Sequence, residues 1–323
     1  MTRYLFGRIF SAVLTMFFIT AIIYALLALA HGSALDVLGG SGGERTAAEY
    51  EAAREALELD LPVWLRYLHW LRDTLRGNLG VSYRYGAPVG GIIAQRCGPT
   101  LLLVGTGLLL AVLLGAPVGV MAAYRPGSVW DSLSSFFALV GFTVPRFITC
   151  IAFIYIFSFK LRWTPTMGMH AIGNTSLGDL LRHLILPASI IAFGSMGYLI
   201  KQTRSACLEV FQEDYMKTAR AKGLSELEVI VKHGLRTAIA PIITHMIVAM
   251  PEIAGSCAIT EKIFGWPGIG ALMIDAIRNR DVPLIMGVTL TLAALVLCAN
   301  ILLDIAYGLL DPRVTYSQNR RSA

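Results

Sequence analysis

Six apolar stretches are each long enough to cross a bilayer, and this pattern constrains the fold more than any other feature. They run at about 9–30, 99–123, 132–159, 184–204, 237–259 and 284–307. A span needs about 20 residues at 1.5 Å rise per residue. The third is long enough to tilt or to begin outside the bilayer, and the fourth is the least apolar. Composition agrees: 55% of residues are hydrophobic and only 15% charged, against about 25% charged in soluble domains. Mean hydropathy is +0.64. These values argue against a soluble enzyme and against a disordered chain. The expected fold is an all-α integral membrane protein with six transmembrane helices.

The net charge of +6 would suggest nucleic acid in a soluble protein, but here the basic residues flank apolar runs and report orientation instead. With the N-terminus inside, 1–8, 124–131, 205–236 and 308–323 face the cytoplasm. Counting Lys201 and Arg204 at the edge of the fourth span, the inside carries 13 basic residues and the short outside loops six. Seven more lie in the 31–98 loop, which is long enough to cross regardless of charge. Both termini are expected to be cytoplasmic. The first apolar stretch is about 22 residues, too long for a signal-peptide core, and reads as a retained helix.

The chain divides into a first helix (1–30), an external loop (31–98), a core of five spans (99–314) and a tail (315–323). In the loop, 39–43 read GGSGG, a flexible linker. Residues 46–59 favour helix. Residues 62–76 open on Pro62 and carry Trp64, Leu65, Leu68, Leu71 and Leu75 at helical spacing. That helix should pack on the bundle or lie at the interface.

The most informative polar segment is 205–236. Residues 207–222 favour helix, Gly223 is a natural stop, and Ser225 with Glu228 has the capping-box pattern of a second helix. A helix–glycine–helix hairpin on the cytoplasmic side is expected. It is either a solvated loop or a docking element, with small Ala219, Ala221 and Gly223 permitting close approach.

EDYMKTARAKGLSELEVIVKHGLRTAIAP (213–241) resembles the EAA loop of ABC importer permeases, and more narrowly the first permease of the dipeptide/oligopeptide/nickel importers. GNLGVSY (77–83) with PV (88–89), KLRWTPTMG (160–168), HLILPA (183–188), EKIFGWPGIG (261–270), DAIRNRDVP (275–283) and NILLDIAYGLLDPRV (300–314) match further pieces of that family in order. Departures occur. Lys217 and Thr218 stand where the general pattern has Glu and Ala, and Arg236 where it has Pro, both usual for this subfamily. Asn78 replaces an Asp, Arg146 a small polar residue, and MPE at 250–252 a Gly/Leu-rich stretch.

The resemblance implies a type I importer permease fold that forms a path for short peptides by alternating access. It implies a second permease, two cytoplasmic ATPases, an extracytoplasmic substrate-binding protein and the lipid bilayer as partners, and no nucleic acid. It also implies a hairpin (Asp214, Lys217, Thr218, Ala219, Arg220, Ala221, Lys222, Gly223, Leu224) that couples to an ATPase. No catalytic residue, cofactor or metal is expected on this chain; ATP and Mg belong to the ATPases. The absence of G-x-x-x-x-G-K-[ST] agrees with that division. Nickel, glutathione or another small solute is the alternative within the family. A stand-alone secondary transporter is the alternative of another class, and it needs no such hairpin.

Intramembrane charge marks pathways or pairs. Arg146 and Glu252 each fall about 14 residues into a span, roughly 21 Å deep, and are expected to pair or, with His245, to line a polar path. Asn300 and Asp304 suit an interhelix hydrogen bond. The cysteines (97, 150, 207, 257, 298) and histidines (31, 69, 170, 183, 233, 245) show no ligand spacing, and 39–43 matches G-x-S-x-G by chance. EKIFGWPGIG should form a compact reentrant or surface helix–turn. Trp163 and Trp266 are expected as interfacial aromatics.

Overall fold

The computed structural model describes residues 2–29, 60–230 and 257–310. Among them are helices α1 (Thr2–Leu29), α2 (Val63–Leu75), α3 (Val89–Tyr124), α4 (Val129–Thr143), α5 (Arg146–Phe153), α6 (Leu177–Gln212), α7 (Asp214–Ala221), α8 (Glu226–Glu228), α9 (Ile269–Arg278) and α10 (Val282–Leu310). The one pairing of extended chain among the described residues is an isolated bridge between Val81 and Pro88.

Four helices are long and apolar enough to cross a membrane, with spans at Gly7–Leu29, Val89–Tyr124, Leu177–Gln212 and Val282–Ile301. The third of these has the lowest hydropathy, 1.6 against 2.4–2.5, as its sequence foretold. The span expected at 132–159 is built of two helical segments, Val129–Thr143 and Arg146–Lys160, bent by 107°. Pro145 has no N–H to give the helix, and Val144 before it is extended at ψ 123°. The second segment ends in a π-helix, Ile154–Lys160. Most of the expected span at 237–259, and the helix at 46–59, lie outside the described residues.

The described chain forms two compact units. In the first, residues 1–99 with 268–298, α2 docks on α1 through Tyr67. Its hydroxyl donates to the Phe17 carbonyl (3.2 Å) and shares a hydrogen bond with Thr20 Oγ1 (3.0 Å), while the rings of Phe17, Tyr24 and Trp70 surround it. Packing on the first span is therefore the outcome for this amphipathic helix. Val89, Ile93, Ile269, Leu272, Leu284 and Val288 form the core of the unit.

Two motifs far apart in sequence meet in this unit. Asn78 Oδ1 accepts from the Gly80 N–H (3.0 Å), and Gly80 sits at φ +86°. The turn brings Ser82 Oγ within 2.5 Å of Asp281 Oδ2, which also accepts from the Arg84 N–H (3.2 Å). Asp281 Oδ1 accepts from the Leu284 N–H (3.3 Å) and so caps α10. Asp281 is wholly buried, so its removal strands three donors. Asp281→Ala should cost about 2–4 kcal/mol and speed proteolysis of the 77–88 loop, as read by limited trypsin digestion in detergent.

The second unit holds 100–267 and 299–315. Here α6 is the central helix, packed against α3 and α4 at glycines. A Cβ on Gly107 would lie 2.6 Å from Ile191 Cγ2, and one on Gly119 2.8 Å from the Ile200 carbonyl oxygen. A Cβ on Gly141 would lie 2.7 Å from the Phe193 carbonyl oxygen, and one on Gly197 would collide with that of Ala138. Small residues let apolar helices approach where lipid gives no hydrophobic drive.

Candidate functional site

The hairpin follows directly from α6, but not as one continuous helix over 207–222. The helix stops at Gln212, Glu213 is extended at ψ 147°, and α7 begins at Asp214. This break turns Met216 and Ala219 back onto Val210, where they bury with Val229 and half-buried Leu224. Asp214, Lys217, Thr218, Arg220, Ala221, Lys222 and Gly223 remain exposed. The outward face therefore offers two small residues, Ala221 and Gly223, among charges. Ala219 is packed inside the hairpin rather than presented on it.

Gly223 ends the first arm at φ +78°, and its N–H bonds the Arg220 carbonyl (3.0 Å). The capping box read from sequence is present: Ser225 Oγ accepts from the Glu228 N–H, and the Glu228 carboxylate accepts from the Ser225 N–H (3.1 Å). Arg220 Nε bridges to Glu226 (3.1 Å) across the turn, and Lys217 Nζ to Asp214 (2.8 Å) along α7. The Lys217 hydrogen bond and charge hold the Asp214 carboxyl below its ordinary value. A depressed acid stabilises above its unfolded pKa, about 3.9, and loses that contribution as pH falls through the folded value. Between pH 6 and 8 the Asp214 carboxylate stays ionised, so the folding of the hairpin should show no pH step attributable to it over that range. Asp214→Asn should leave the pH dependence of limited proteolysis within 213–224 unchanged over that range.

The second candidate region is a buried polar centre. Arg146 is the first residue of α5, immediately after the bend, and its side chain lies against Gly194 of α6, where a Cβ would come 3.0 Å from Nη2. It is thus at the start of a new helix, reached after the 15 residues of α4, rather than midway along one continuous helix. His245 and Glu252 lie outside the described residues, and so does the expected pairing of Arg146 with Glu252.

Sequence reading missed a wholly buried carboxylate in the same unit, Glu261. Thr100 Oγ1 donates to its Oε1 (2.7 Å), with Cys257 Sγ 3.8 Å from the same oxygen. The signal was present as a Glu opening a motif, EKIFGWPGIG, that is apolar after Lys262. That motif is a compact helix–turn, as expected. Helical residues 257–263 end in a turn at Gly265 (φ +58°), and the Trp266 N–H returns to the Glu261 carbonyl (2.8 Å). Trp266 is not interfacial. It is buried with Leu103, Val104, Leu108, Leu184 and Ile191, whereas Trp163 is 68% exposed. A tryptophan near a span boundary satisfies either environment, and the tight turn decides it here.

The family comparison fits this arrangement. Residues 115–316 match the model of the binding-protein-dependent transport system inner membrane component. The chain belongs to this family. Residues 1–103 match the N-terminal model of binding-protein-dependent transport system membrane components. A putative peptide permease of Brucella suis biovar 1 (strain 1330) is 40% identical over 97% of this chain and 99% of its own length. The oligopeptide transport system permease AppB of Bacillus subtilis (strain 168) is 35% identical over 98% and 100%. The glutathione transport system permease GsiC of Escherichia coli (strain K12) is 32% identical over 98% and 100%.

Among solved structures, an inward-facing form of the MetNI methionine ABC transporter superposes with a TM-score of 0.55 at 16% identity, covering 68% of this chain and 96% of the other. An amino acid ABC transporter with histidines gives 0.51 at 14% identity, covering 68% and 94%. These two establish the fold, that of a type I ABC importer permease. The protein is a membrane-embedded transport subunit rather than an enzyme, in a family whose importers draw on ATPases and substrate-binding proteins.

Proposed function

We propose that this chain is one of two permeases forming a path for short peptides, driven by two cytoplasmic ATPases and supplied by an extracytoplasmic binding protein. The observation that carries the coupling part is the hairpin on α6. A helix 36 residues long ends in a small folded knob whose exposed face is charged and whose turn is small. A knob with its own buried contacts moves as a rigid body, so a partner that grips it differently in two states can bias the spans attached to it. The exposed residues Asp214, Lys217, Thr218, Arg220, Ala221, Lys222 and Gly223 form the proposed contact, with Ala219 and Leu224 holding the knob together. On this reading the hairpin is cytoplasmic, and a chain that crosses six times has both termini on the same side. Arg146 is proposed to face the path, since a charge at a bend between helices avoids lipid.

Peptides are favoured as solute because the relatives named above are peptide, oligopeptide and glutathione permeases. Glutathione is itself a tripeptide, so it forms the second reading. The test is uptake by right-side-out vesicles loaded with ATP, with the binding protein outside. ATP-dependent uptake of a labelled tripeptide that unlabelled peptides suppress, and nickel does not, supports the reading. Uptake in ATP-free vesicles driven by an ion gradient would contradict it.

A further inference from the structure

Asp131 and Arg204 stand 73 residues apart in sequence and meet in a fork, Nε to Oδ1 at 2.6 Å and Nη2 to Oδ2 at 2.8 Å. The aspartate side chain is 9% exposed and the arginine 31%. A bidentate, partly buried pair fixes orientation as well as distance. Asp131 is also built into the turn between α3 and α4. Its Oδ2 accepts from the Gly127 N–H (2.9 Å), its N–H donates to the cap Ser128 Oγ (3.3 Å), and its carbonyl accepts from Ser134 Oγ (2.9 Å). Arg204 lies two turns before the end of α6, the helix that carries the hairpin. Beside the pair, Val120 and Ala123 of α3 bury against Cys207 of α6.

We propose that Asp131 and Arg204 are positioning residues for transport. They form a strut that makes the 125–128 turn, α4 and α6 move as one body when the hairpin is driven. The inference rests on the hairpin being the driven element. Above the strut, α4 is held to α6 by the glycine contacts at Gly141 and Gly197, so no slack remains along that pair. The first place where the chain can yield is the 107° bend at Val144–Pro145. The strut thus delivers the drive to the bend, where Arg146 begins the next helix. Without it, the foot of α4 parts from α6 below those glycine contacts, the 125–128 turn takes up the motion, and hydrolysis proceeds with less transport.

The test uses the complete importer in proteoliposomes with a labelled tripeptide as probe. Asp131→Asn keeps an oxygen for the Gly127 N–H but removes the charge, and Arg204→Met keeps the apolar stem. Each should lower peptide taken up per ATP hydrolysed about tenfold with the ATPases still bound, and the double variant should fall no further than either. Losses that multiply to about a hundredfold in the double variant, or single variants with an undiminished ratio, would overturn the strut. Arg204→Lys keeps the charge without the fork, so its ratio should fall between those of Arg204→Met and the wild type; a ratio equal to the wild type's also overturns it. A second measurement needs only this chain. Arg204→Met should speed amide hydrogen exchange across 127–131, and unchanged exchange there contradicts the proposal. A wild-type importer that takes up no tripeptide would count against the functional reading, while the exchange result still reads the strut.

Discussion

Replacing Gly197 by leucine should prevent the chain from accumulating as a folded membrane protein. The Cα of Gly197 in α6 faces the backbone of α4, and even a methyl group there would collide with the Ala138 carbonyl oxygen. Backbone cannot rotate away as a side chain can, so the two helices must part. The opposing glycine, Gly141, approaches the Phe193 carbonyl in the same way, which leaves no compensating space. Overpacking of a fitted contact costs about 1–3 kcal/mol and sometimes more. The separation here would also stretch the Asp131–Arg204 fork. We expect a cost at the upper end of that range or beyond it, read as loss of the monodisperse peak in fluorescence-detected size exclusion. Gly105, in α3, has nothing within 4 Å of a built Cβ. Gly105→Ala should therefore be tolerated and, by helix propensity, slightly stabilising at about 0.5–1 kcal/mol. Equal behaviour of the two variants would show that the glycine contacts do not hold α4 to α6.

Gly223→Pro should leave the spans folded and uncouple them. Three requirements fail together. Residue 223 sits at φ +78°, where proline is locked near −65°. Its N–H, which bonds the Arg220 carbonyl, is lost. Lys222, at φ −77° and ψ 2°, would precede a proline in a conformation that the ring disfavours. The turn must rearrange, taking with it the Arg220–Glu226 bridge and the seat of Leu224 against Met216. A docked surface whose register is lost should bind its ATPase at least a hundredfold more weakly, on the order of 3 kcal/mol. Gly223→Ala asks only for the left-handed conformation, about 1 kcal/mol, and should lower peptide uptake less than tenfold. A size-exclusion profile like the wild type's, with ATPase missing from the peak, distinguishes uncoupling from misfolding.

Much of the fold was legible because local chemistry announces it. Pro62 opens α2 at its next residue, and the Ser225–Glu228 box and the Gly223 turn stand where their residues put them. The apolar blocks at the first, second, fourth and sixth positions are helices of spanning length. What the sequence hid depends on partners far along the chain. The bend at Val144–Pro145 lies inside an apolar run, and hydropathy does not distinguish a straight span from a folded one. The break at Glu213 has no glycine or proline to mark it; it exists because Met216 and Ala219 gain burial against Val210 and Val229. Asp131 with Arg204, Ser82 with Asp281 and Thr100 with Glu261 are separated by 73, 199 and 161 residues. Nothing local says that these pairs meet. The hairpin was found because its residues are contiguous, and the buried polar centre was found only in part because its residues are not.

The central claim is that this chain transports by being moved through its hairpin. The most direct measurement is copurification coupled to uptake. The chain is tagged at its C-terminus, extracted gently with its native partners, and reconstituted with the binding protein. The account predicts a second permease and ATPases in the complex, tripeptide uptake that requires ATP inside, and loss of both ATPase and uptake in Gly223→Pro with the permease pair intact. Recovery of the chain alone, with uptake undiminished in ATP-free vesicles and in Gly223→Pro, would contradict it.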